Sequence, residues 1–179
     1  AIPLSFLVEE VVAVDNPSTI DQLEERFPNA GNLDTKRGNF LELGFDQEFD
    51  TIVAYSVIHC LPNERTIHEF VTKAARLLAP GGQFLIGDIP NRDRKDRFLE
   101  SPAGKEFQRQ WEQEAEETDN GDRYFEKLGD AEVVVIDDAV VLSLVAELRE
   151  QGFHCHIEPQ PENLPFGHTR EDIIVEKLP

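Results

Sequence analysis

Methionine is absent from the 179 residues, position 1 included, which indicates that the sequence does not begin at the native start of the protein. Cysteine is scarce, because Cys60 and Cys155 are the only two. They make neither a disulfide framework nor a zinc knuckle, and a reducing compartment is expected. No apolar run reaches the roughly 20 residues of a membrane-spanning helix, and the N-terminus lacks the charged and then apolar layout of a signal peptide. These absences predict a cytoplasmic protein without a membrane partner.

Basic residues are also scarce. The chain has 17 Lys and Arg against 36 Asp and Glu, a formal net charge of −19. So acidic a surface repels phosphate backbones and anionic lipid headgroups, which disfavours nucleic acid and membrane surfaces as partners. With 40% hydrophobic residues, the chain has enough apolar side chains for one compact domain with a core. We therefore expect residues 1–179 to form a single domain.

Short apolar runs bounded by turn residues dominate the first half of the chain. They predict strands at residues 10–15, 49–54 and 83–88, and the polar residues 33–37 could form a short edge strand. Asn16 and Asn63 are placed to cap the two helices between them, and Pro80-Gly81-Gly82 is predicted to end the second helix. The alternation of strand and helix predicts an α/β fold with a doubly wound, mostly parallel sheet.

The second half begins with a long charged stretch, residues 90–130, which holds one predicted helical segment around 103–117. A connection of this length is typical of a lid or binding loop, so we interpret it as a cap over the site. Asp137 or Asp138 can cap the next helix. The last two strands, at 153–157 and 172–176, have no helix between them, so they are predicted to pair antiparallel at one edge of the sheet.

Two segments carry a resemblance to a known family. They are Phe49–Leu61, with the sequence FDTIVAYSVIHCL, and Ala74–Ile86, with the sequence AARLLAPGGQFLI. They resemble the fourth-strand and fifth-strand motifs of the class I S-adenosylmethionine-dependent methyltransferases. Val11–Asp15 is similar to the second strand of that family, and Gly38-Asn39-Phe40 lies where the family often has Gly-Asp followed by an apolar residue. The resemblance covers about residues 1–90 and the closing hairpin, and it implies a Rossmann-like methyltransferase fold.

The chain departs from that family in one large feature. The glycine-rich loop that follows the first strand in the family, and approaches the methionine part of the cofactor, is absent from the 179 residues. Residues 1–7 are similar to the helix that follows this loop. We therefore expect the first, central strand and the loop to lie upstream of Ala1, and full activity to need them. The alternative is a remnant that has lost both.

The resemblance implies a set of cofactor-binding residues for S-adenosylmethionine. Asp15, with Asn16 beside it, is expected to hold the ribose hydroxyls, although an acid that ends a strand and helps to cap a helix is the plainer alternative. Asn39 and Phe40 are expected at the adenine, unless they only form a loop turn. Tyr55 and Ser56 follow the strand whose tip should meet the amino-acid end of the cofactor.

His59 is the candidate catalytic residue, because an imidazole titrates near neutrality and can act as a base. The alternative is a histidine that packs beneath a helix cap. Arg170 of the last hairpin could meet a substrate anion or lie in a solvated turn. The basic cluster Arg92, Arg94, Lys95 and Arg97 could be a salt-bridged base of the cap or an anionic-substrate contact.

No metal site is predicted. His154 and His156 share one face of a strand, but a metal pair there lacks a third ligand. We expect S-adenosylmethionine-dependent transfer of a methyl group to a small-molecule acceptor, with Trp111, Tyr124 and Phe125 as wall residues of the acceptor site. The alternative function is a catalytically inactive binding or scaffolding domain. The methyl acceptor, the accepting atom and a homodimer stay open.

Overall fold

The structure is a computed structural model that describes residues 1–28, 31–117, 134–164 and 166–179, with side chains described only to residue 110 in the second range. The chain divides into two compact units, Ala1–Gln47 and Glu48–Pro179. Each unit is described by itself. The predicted wall residues Trp111, Tyr124 and Phe125 lie outside the described side chains.

The first unit is a parallel pair of strands with helices between and before them. Its elements are α1 (Ile2–Ser5), β1 (Val11–Asp15), α2 (Pro17–Arg26) and β2 (Leu33–Arg37). The register runs from Val11 opposite Leu33 to Asp15 opposite Arg37. The crossover helix is tied to β2 by Glu24, which accepts hydrogen bonds from the Thr35 hydroxyl at 2.6 Å and from the Arg37 guanidinium. Both predicted strands and the helix between them are confirmed.

The start of α2 is fixed by its capping residue. Asn16 Oδ1 accepts from the Thr19 amide at 3.0 Å and from the Ser18 hydroxyl at 2.7 Å, and Pro17 occupies the first turn. The amide therefore satisfies a backbone N–H that would otherwise have no partner in the helix. The predicted cap is confirmed.

Asn16→Ala should lower the free energy of unfolding by about 1 kcal/mol, the usual cost of losing an N-cap side chain. Chemical denaturation followed by circular dichroism measures it. Gln22→Ala, at an exposed position inside α2, is the matched control and should change the stability little. Equal stability of wild type and Asn16→Ala would show that the cap contributes nothing.

The second unit is a four-stranded mixed sheet with helices. Its elements in chain order are β3 (Phe49–Tyr55), a 3-10 turn (Ile58–Cys60), α3 (Glu64–Arg76), β4 (Leu78–Pro90), α4 (Arg92–Glu100), α5 (Pro102–Glu117), α6 (Asp138–Glu150), β5 (His154–Pro159) and β6 (Arg170–Glu176). The strand order is β3-β4-β6-β5. Strand β3 is parallel to β4, whereas β6 is antiparallel to both β4 and β5. The predicted α/β class and the antiparallel edge hairpin are confirmed.

The core of the second unit is built from the apolar faces of α3 and α6 and the central strands. The fully buried side chains include Ile67, Val71, Leu144, Leu148, Phe84, Ile86, Ile173 and Val175. Strand β6 alternates buried Glu171, Ile173 and Val175 with partly exposed neighbours, the period-two pattern of a strand. This rigid sheet holds the carboxyl ends of β3 and β4 in place.

The predicted boundary at Pro80-Gly81-Gly82 is wrong. Helix α3 ends at Arg76, and β4 begins at Leu78, five residues before the predicted Gln83. The triplet forms an irregularity inside the strand, because the register shifts between Phe49 and Thr51 of β3. At Gly82 an added Cβ would lie 2.9 Å from the Ala79 carbonyl oxygen and 3.0 Å from that of Phe49, which explains the glycine.

The charged stretch after β4 contains a helix that the sequence pattern did not predict. Helix α4 begins after Asn91, whose side chain accepts from the Arg94 amide at 3.2 Å. Asn91 is buried and also donates to Glu171 Oε1 at 2.7 Å and Asp138 Oδ1 at 2.8 Å. No residue of α4 is fully buried, so the helix needs no apolar face and its sequence shows only a weak helical periodicity. For this reason the sequence pattern did not predict it. The predicted helix at 103–117 is confirmed as α5.

Two further predictions concern helices and cysteines. Among the described helices, none combines the length and the apolar character required to cross a bilayer. Cys60 is exposed, Cys155 is buried, and both are free thiols.

Candidate functional site

The carboxyl ends of β3 and β4 carry two residues with unusual backbone conformations. Ser56 and Asp88 both have φ of 59°, and in the described part of the chain they are the two non-glycine residues in the left-handed region. The Ser56 amide donates to the Gly87 carbonyl at 3.0 Å, and the Ser56 hydroxyl donates to Asp88 Oδ2. Strained residues of this kind are found disproportionately at ligand sites. The pair marks the tip of the parallel strands as the candidate site.

Strand β6 and the loop that precedes it contact this tip. Arg170 Nη1 donates to the Asp88 carbonyl oxygen at 3.2 Å and lies 3.6 Å from Asp88 Oδ2. Asp172 Oδ1 accepts from the Asp88 amide at 2.9 Å and from Gln160 Nε2 at 2.9 Å. Asp88 is therefore fixed at its backbone and its side chain by residues distant in sequence.

Tyr55 connects the same network to the surface. Its hydroxyl lies 3.1 Å from Gln160 Nε2, and its ring lies across Gly87 of β4. A Cβ added at Gly87 would come within 2.4 Å of Tyr55 Cδ2, so a glycine is needed for the ring to take this position. Tyr55 stays about half exposed at 48%. An aromatic face is thus open to solvent beside Ser56.

His59 lies in the short turn that follows β3, and its surroundings disfavour the charged imidazolium. Burial lowers the pKa of His59 below its ordinary value of 6.5, and the positive charge of Arg170 lowers it further, while Asp88 opposes the shift. The ring Nδ1 is buried and has no hydrogen-bond partner in the described residues. A buried polar atom without a partner is uncommon in proteins, which sets this histidine apart from an ordinary packed one. The lowered pKa of His59 therefore favours the neutral form of the imidazole.

Replacing Arg170 with Gln should raise the pKa of His59, because it removes a nearby positive charge that disfavours the imidazolium. Titration of the His59 ring signals by nuclear magnetic resonance measures the change. Arg65→Gln, which removes an exposed arginine from α3, is the matched control and should leave the pKa unchanged. An unchanged or lowered pKa in Arg170→Gln would contradict the electrostatic account.

The first unit presents Asp15 at the carboxyl end of β1. Its Oδ1 accepts from the Asn16 amide at 2.7 Å and from Asn16 Nδ2 at 3.0 Å. No described residue bonds to Oδ2, and Asp15 is exposed. Asn16 caps α2 and Asp15 holds the capping side chain through Asn16 Nδ2, so the alternative in which Asp15 ends a strand and helps to cap the helix stays open. One carboxylate oxygen is free to accept a ligand hydroxyl.

Asn39 and Phe40 lie in the loop after β2. Asn39 Oδ1 accepts from the Leu41 amide at 3.0 Å, which closes a turn, and Asn39 Nδ2 lies 3.3 Å from Glu42 Oε1. Phe40 is partly buried against Phe45, with ring centroids 5.5 Å apart. The side-chain oxygen of Asn39 therefore serves the loop turn, as the alternative interpretation expected. A contact of Asn39 or Phe40 with adenine stays a prediction.

The structure brings Tyr55, Ser56 and His59 to one strand tip in the second unit, while Asp15, Asn16, Asn39 and Phe40 belong to the first unit. A common cleft for both groups stays a prediction. Sequence reasoning missed Asp88, although Asp88 ends the predicted strand 83–88 as Asp15 ends the predicted strand 10–15, and the same rule could have found it. It also missed Asp172 and Gln160, for which the sequence carries no signal.

The structure also shows the surroundings of Arg170 and of the histidine pair on β5. Arg170 is not a solvated turn residue, because its side chain is only 19% exposed and its guanidinium lies 5.2 Å from the Phe166 ring. His154 and His156 are exposed on β5. Within the described ranges, no three His, Cys, Asp or Glu side chains are grouped as metal ligands.

The mixed sheet, with ligand-type residues at the carboxyl ends of its parallel strands, defines the chain as an α/β protein of the Rossmann-like class. Residues 2–86 match the family model described as "Methyltransferase domain". The predicted resemblance to the class I S-adenosylmethionine-dependent methyltransferases is therefore confirmed. No sequence among the curated proteins matches the chain.

Solved structures of similar fold include several methyltransferases. The CcbJ methyltransferase from Streptomyces caelestis is 16% identical with a TM-score of 0.64, over 99% of this chain and 78% of that one. The N-methyltransferase NodS from Bradyrhizobium japonicum WM9, solved with S-adenosyl-L-homocysteine, is 14% identical with a TM-score of 0.57, over 95% and 67%. An O-methyltransferase family 2 protein from Planctomyces limnophilus DSM 3776, solved with apigenin, is 17% identical with a TM-score of 0.57, over 94% and 44%. The chain spans 44% of the Planctomyces limnophilus protein, 45% of an O-methyltransferase structure from Nostoc punctiforme PCC 73102 and 44% of the S-adenosylmethionine-dependent methyltransferase SibL, so it is less than half as long as these three proteins.

Proposed function

We propose that the protein transfers a methyl group from S-adenosylmethionine to a small-molecule acceptor. The proposal is supported by the match of residues 2–86 to a methyltransferase domain and by the residues at the carboxyl ends of β3 and β4. There the left-handed Ser56 and Asp88 lie beside His59, whose buried Nδ1 lacks a partner.

The residues present fit the cofactor at two points. The free Oδ2 of Asp15 can accept a hydrogen bond from a ribose hydroxyl, as acidic residues at strand ends do in dinucleotide folds. The half-exposed ring of Tyr55 and the backbone at Ser56 can contact the rest of the cofactor. Asn16, Asn39 and Phe40 complete the proposed set, although Asn16 and Asn39 already use their amide oxygens in a cap and a turn. The glycine-rich loop of the family is not among the 179 residues, and we propose that full activity needs it.

His59 is proposed to take the proton that the acceptor loses. Bound S-adenosylmethionine supplies an electrophilic methyl group, so the protein has mainly to align the acceptor and, where its nucleophile carries a proton, to remove it. A neutral imidazole suits that task, and the lowered pKa of His59 keeps the ring neutral at pH 7. Asp88 and Arg170 hold the strand tip beside this ring.

The test is a transfer assay with S-adenosylmethionine labelled in its methyl group. Full-length protein is incubated with pools of small molecules, and formation of S-adenosylhomocysteine is measured together with label in the acceptor. We expect both to rise with the same pool and neither to rise without an acceptor. Cofactor binding without transfer to any pool would instead favour the inactive binding domain. The cytoplasmic location and a homodimer stay predictions.

A further inference from the structure

Arg94 is a basic side chain of α4 for which the described residues supply no counterion. Its neighbours on α4 are paired: Arg92 Nη2 lies 2.8 Å from Asp137 Oδ2, and Arg97 Nη1 lies 2.6 Å from Asp138 Oδ2. By contrast, Arg94 Nε is buried with no hydrogen-bond partner, and no carboxylate among the described residues pairs with its guanidinium. Arg94 is only partly buried, but a shielded N–H without a partner is costly, which makes this side chain a candidate contact for an anionic ligand.

The same side chain lines a cavity of about 580 Å³ between α4 and the segment that joins β5 to β6. Phe98 and Ser101 contribute from the helix side, and Gln160 and His168 from the loop side. Cavities of roughly 300–1,000 Å³ hold small organic ligands. The volume therefore suits a small molecule better than a single inorganic ion.

Two aromatic side chains, Phe98 and His168, are among the residues that line the cavity. The rings of Phe98 and His168 stack with centroids 4.5 Å apart and planes 4° from parallel. Pro159 and Pro161 add further apolar surface. Glu162 is the one acidic residue of the lining, and it is exposed, so water screens its charge. The lining thus combines an apolar wall with a single unpaired cation.

The cavity adjoins the candidate site through one shared residue. Gln160 lines the cavity and also contacts the Tyr55 hydroxyl at 3.1 Å. Tyr55 directly precedes Ser56 at the tip of β3. A molecule in the cavity therefore lies one side chain from the proposed cofactor-binding residues.

We infer that this cavity binds the methyl acceptor and that the acceptor is a small aromatic carboxylate. The carboxylate pairs with the Arg94 guanidinium, whose planar donors match its two oxygens, and the ring lies against Phe98 and His168. Arg92 and Arg97 are the salt-bridged base of the cap, and Arg94 is the anion contact, so the two interpretations of the basic cluster apply to different residues. The inference rests on the proposed function in one respect, the identification of the bound carboxylate as the methyl acceptor. The carboxylate site itself does not depend on it.

Binding of benzoate and of its neutral counterpart benzamide, followed by ligand-observed nuclear magnetic resonance, tests the site without cofactor. The two probes share shape and differ in charge. We expect benzoate to bind the full-length protein more tightly than benzamide, and Arg94→Gln to weaken benzoate binding by about tenfold or more while leaving benzamide unchanged. Lys95→Gln is the matched control, since it removes one exposed positive charge from the next position of the same helix.

Equal binding of benzoate and benzamide, or equal benzoate binding by wild type and Arg94→Gln, would overturn the inference. A thermal melt of each variant shows whether it folds, and Arg94→Lys, which keeps the charge, should retain part of the affinity if Arg94→Gln unfolds. Binding of S-adenosylhomocysteine is titrated separately on the same samples. Its absence would overturn the proposed function and not the carboxylate site, so the two failures are distinguishable.

Discussion

Replacing His59 with Gln should lower kcat by about 10²–10⁴-fold with an acceptor that must lose a proton, the usual contribution of a positioned general base. Glutamine keeps the polarity and approximate size of the imidazole but cannot take up a proton at neutral pH. The KM for S-adenosylmethionine should change little, because the proposed role of His59 concerns the acceptor. Steady-state kinetics with the acceptor found in the transfer assay measures both constants.

The pH dependence of kcat distinguishes a base from a packing residue. A base acts in its neutral form, so activity falls as the pH drops through its pKa. Because burial and Arg170 lower the pKa of His59, the acid limb of the profile should lie below the ordinary histidine value of 6.5. Arg170→Gln should move that limb to higher pH. A His59→Gln enzyme with wild-type kcat and an unchanged acid limb would leave His59 with a structural role only.

Asp15→Ala should weaken binding of S-adenosylmethionine by about 1.5–3 kcal/mol, the worth of hydrogen bonds to a charged group, or about 10- to 150-fold in dissociation constant. The effect follows from the free Oδ2 at the tip of β1. The fold should survive, because Asp15 is exposed and does not cap α2. Calorimetric titration of the full-length protein, beside a thermal melt, measures affinity and stability on one sample.

Asn16→Ala is the control for this experiment. It removes the helix cap and the hydrogen bond from Asn16 Nδ2 to Asp15, while the backbone N–H of residue 16 and the carboxylate remain. We expect lost stability with a smaller loss of affinity in Asn16→Ala, and the reverse in Asp15→Ala. Unchanged affinity in Asp15→Ala would remove this residue from the site.

The features that the sequence predicted well are those with local chemical causes. Asn16 and Asn63 cap helices because a side-chain amide oxygen can reach an N–H three residues later, and both spacings are visible in the sequence. The closing hairpin follows from two strand patterns without a helix between them. Such signals need no knowledge of distant residues.

The features that the sequence did not predict depend on contacts between distant segments. The early start of β4 requires Gly82 to fit against carbonyl oxygens of β3, more than 30 positions away. Helix α4 is held by Asn91 through Asp138 and Glu171, respectively 47 and 80 positions along the chain. The partners of Asp88 likewise come from the β5–β6 hairpin. Local sequence patterns do not predict contacts between segments that are distant in the sequence.

The candidate site shows the same division. Ser56 and His59 could be chosen because they follow a strand with a family-like motif, and Asp15 because it ends one. The left-handed backbone at Ser56 and Asp88, the buried Nδ1 of His59 and the unpaired Arg94 became visible only in three dimensions. Each of these features depends on the neighbouring groups in the folded protein, and the residue type alone does not specify those neighbours.

The central claim is that this protein binds S-adenosylmethionine, and titration calorimetry with S-adenosylhomocysteine on the full-length protein tests it most directly. We predict saturable binding at one site per chain. At a hundredfold excess over the dissociation constant, the folded state should gain about 2.7 kcal/mol of stability, visible as a raised Tm. Absence of both the binding heat and the shift in Tm, in a sample that melts cooperatively, would contradict the account.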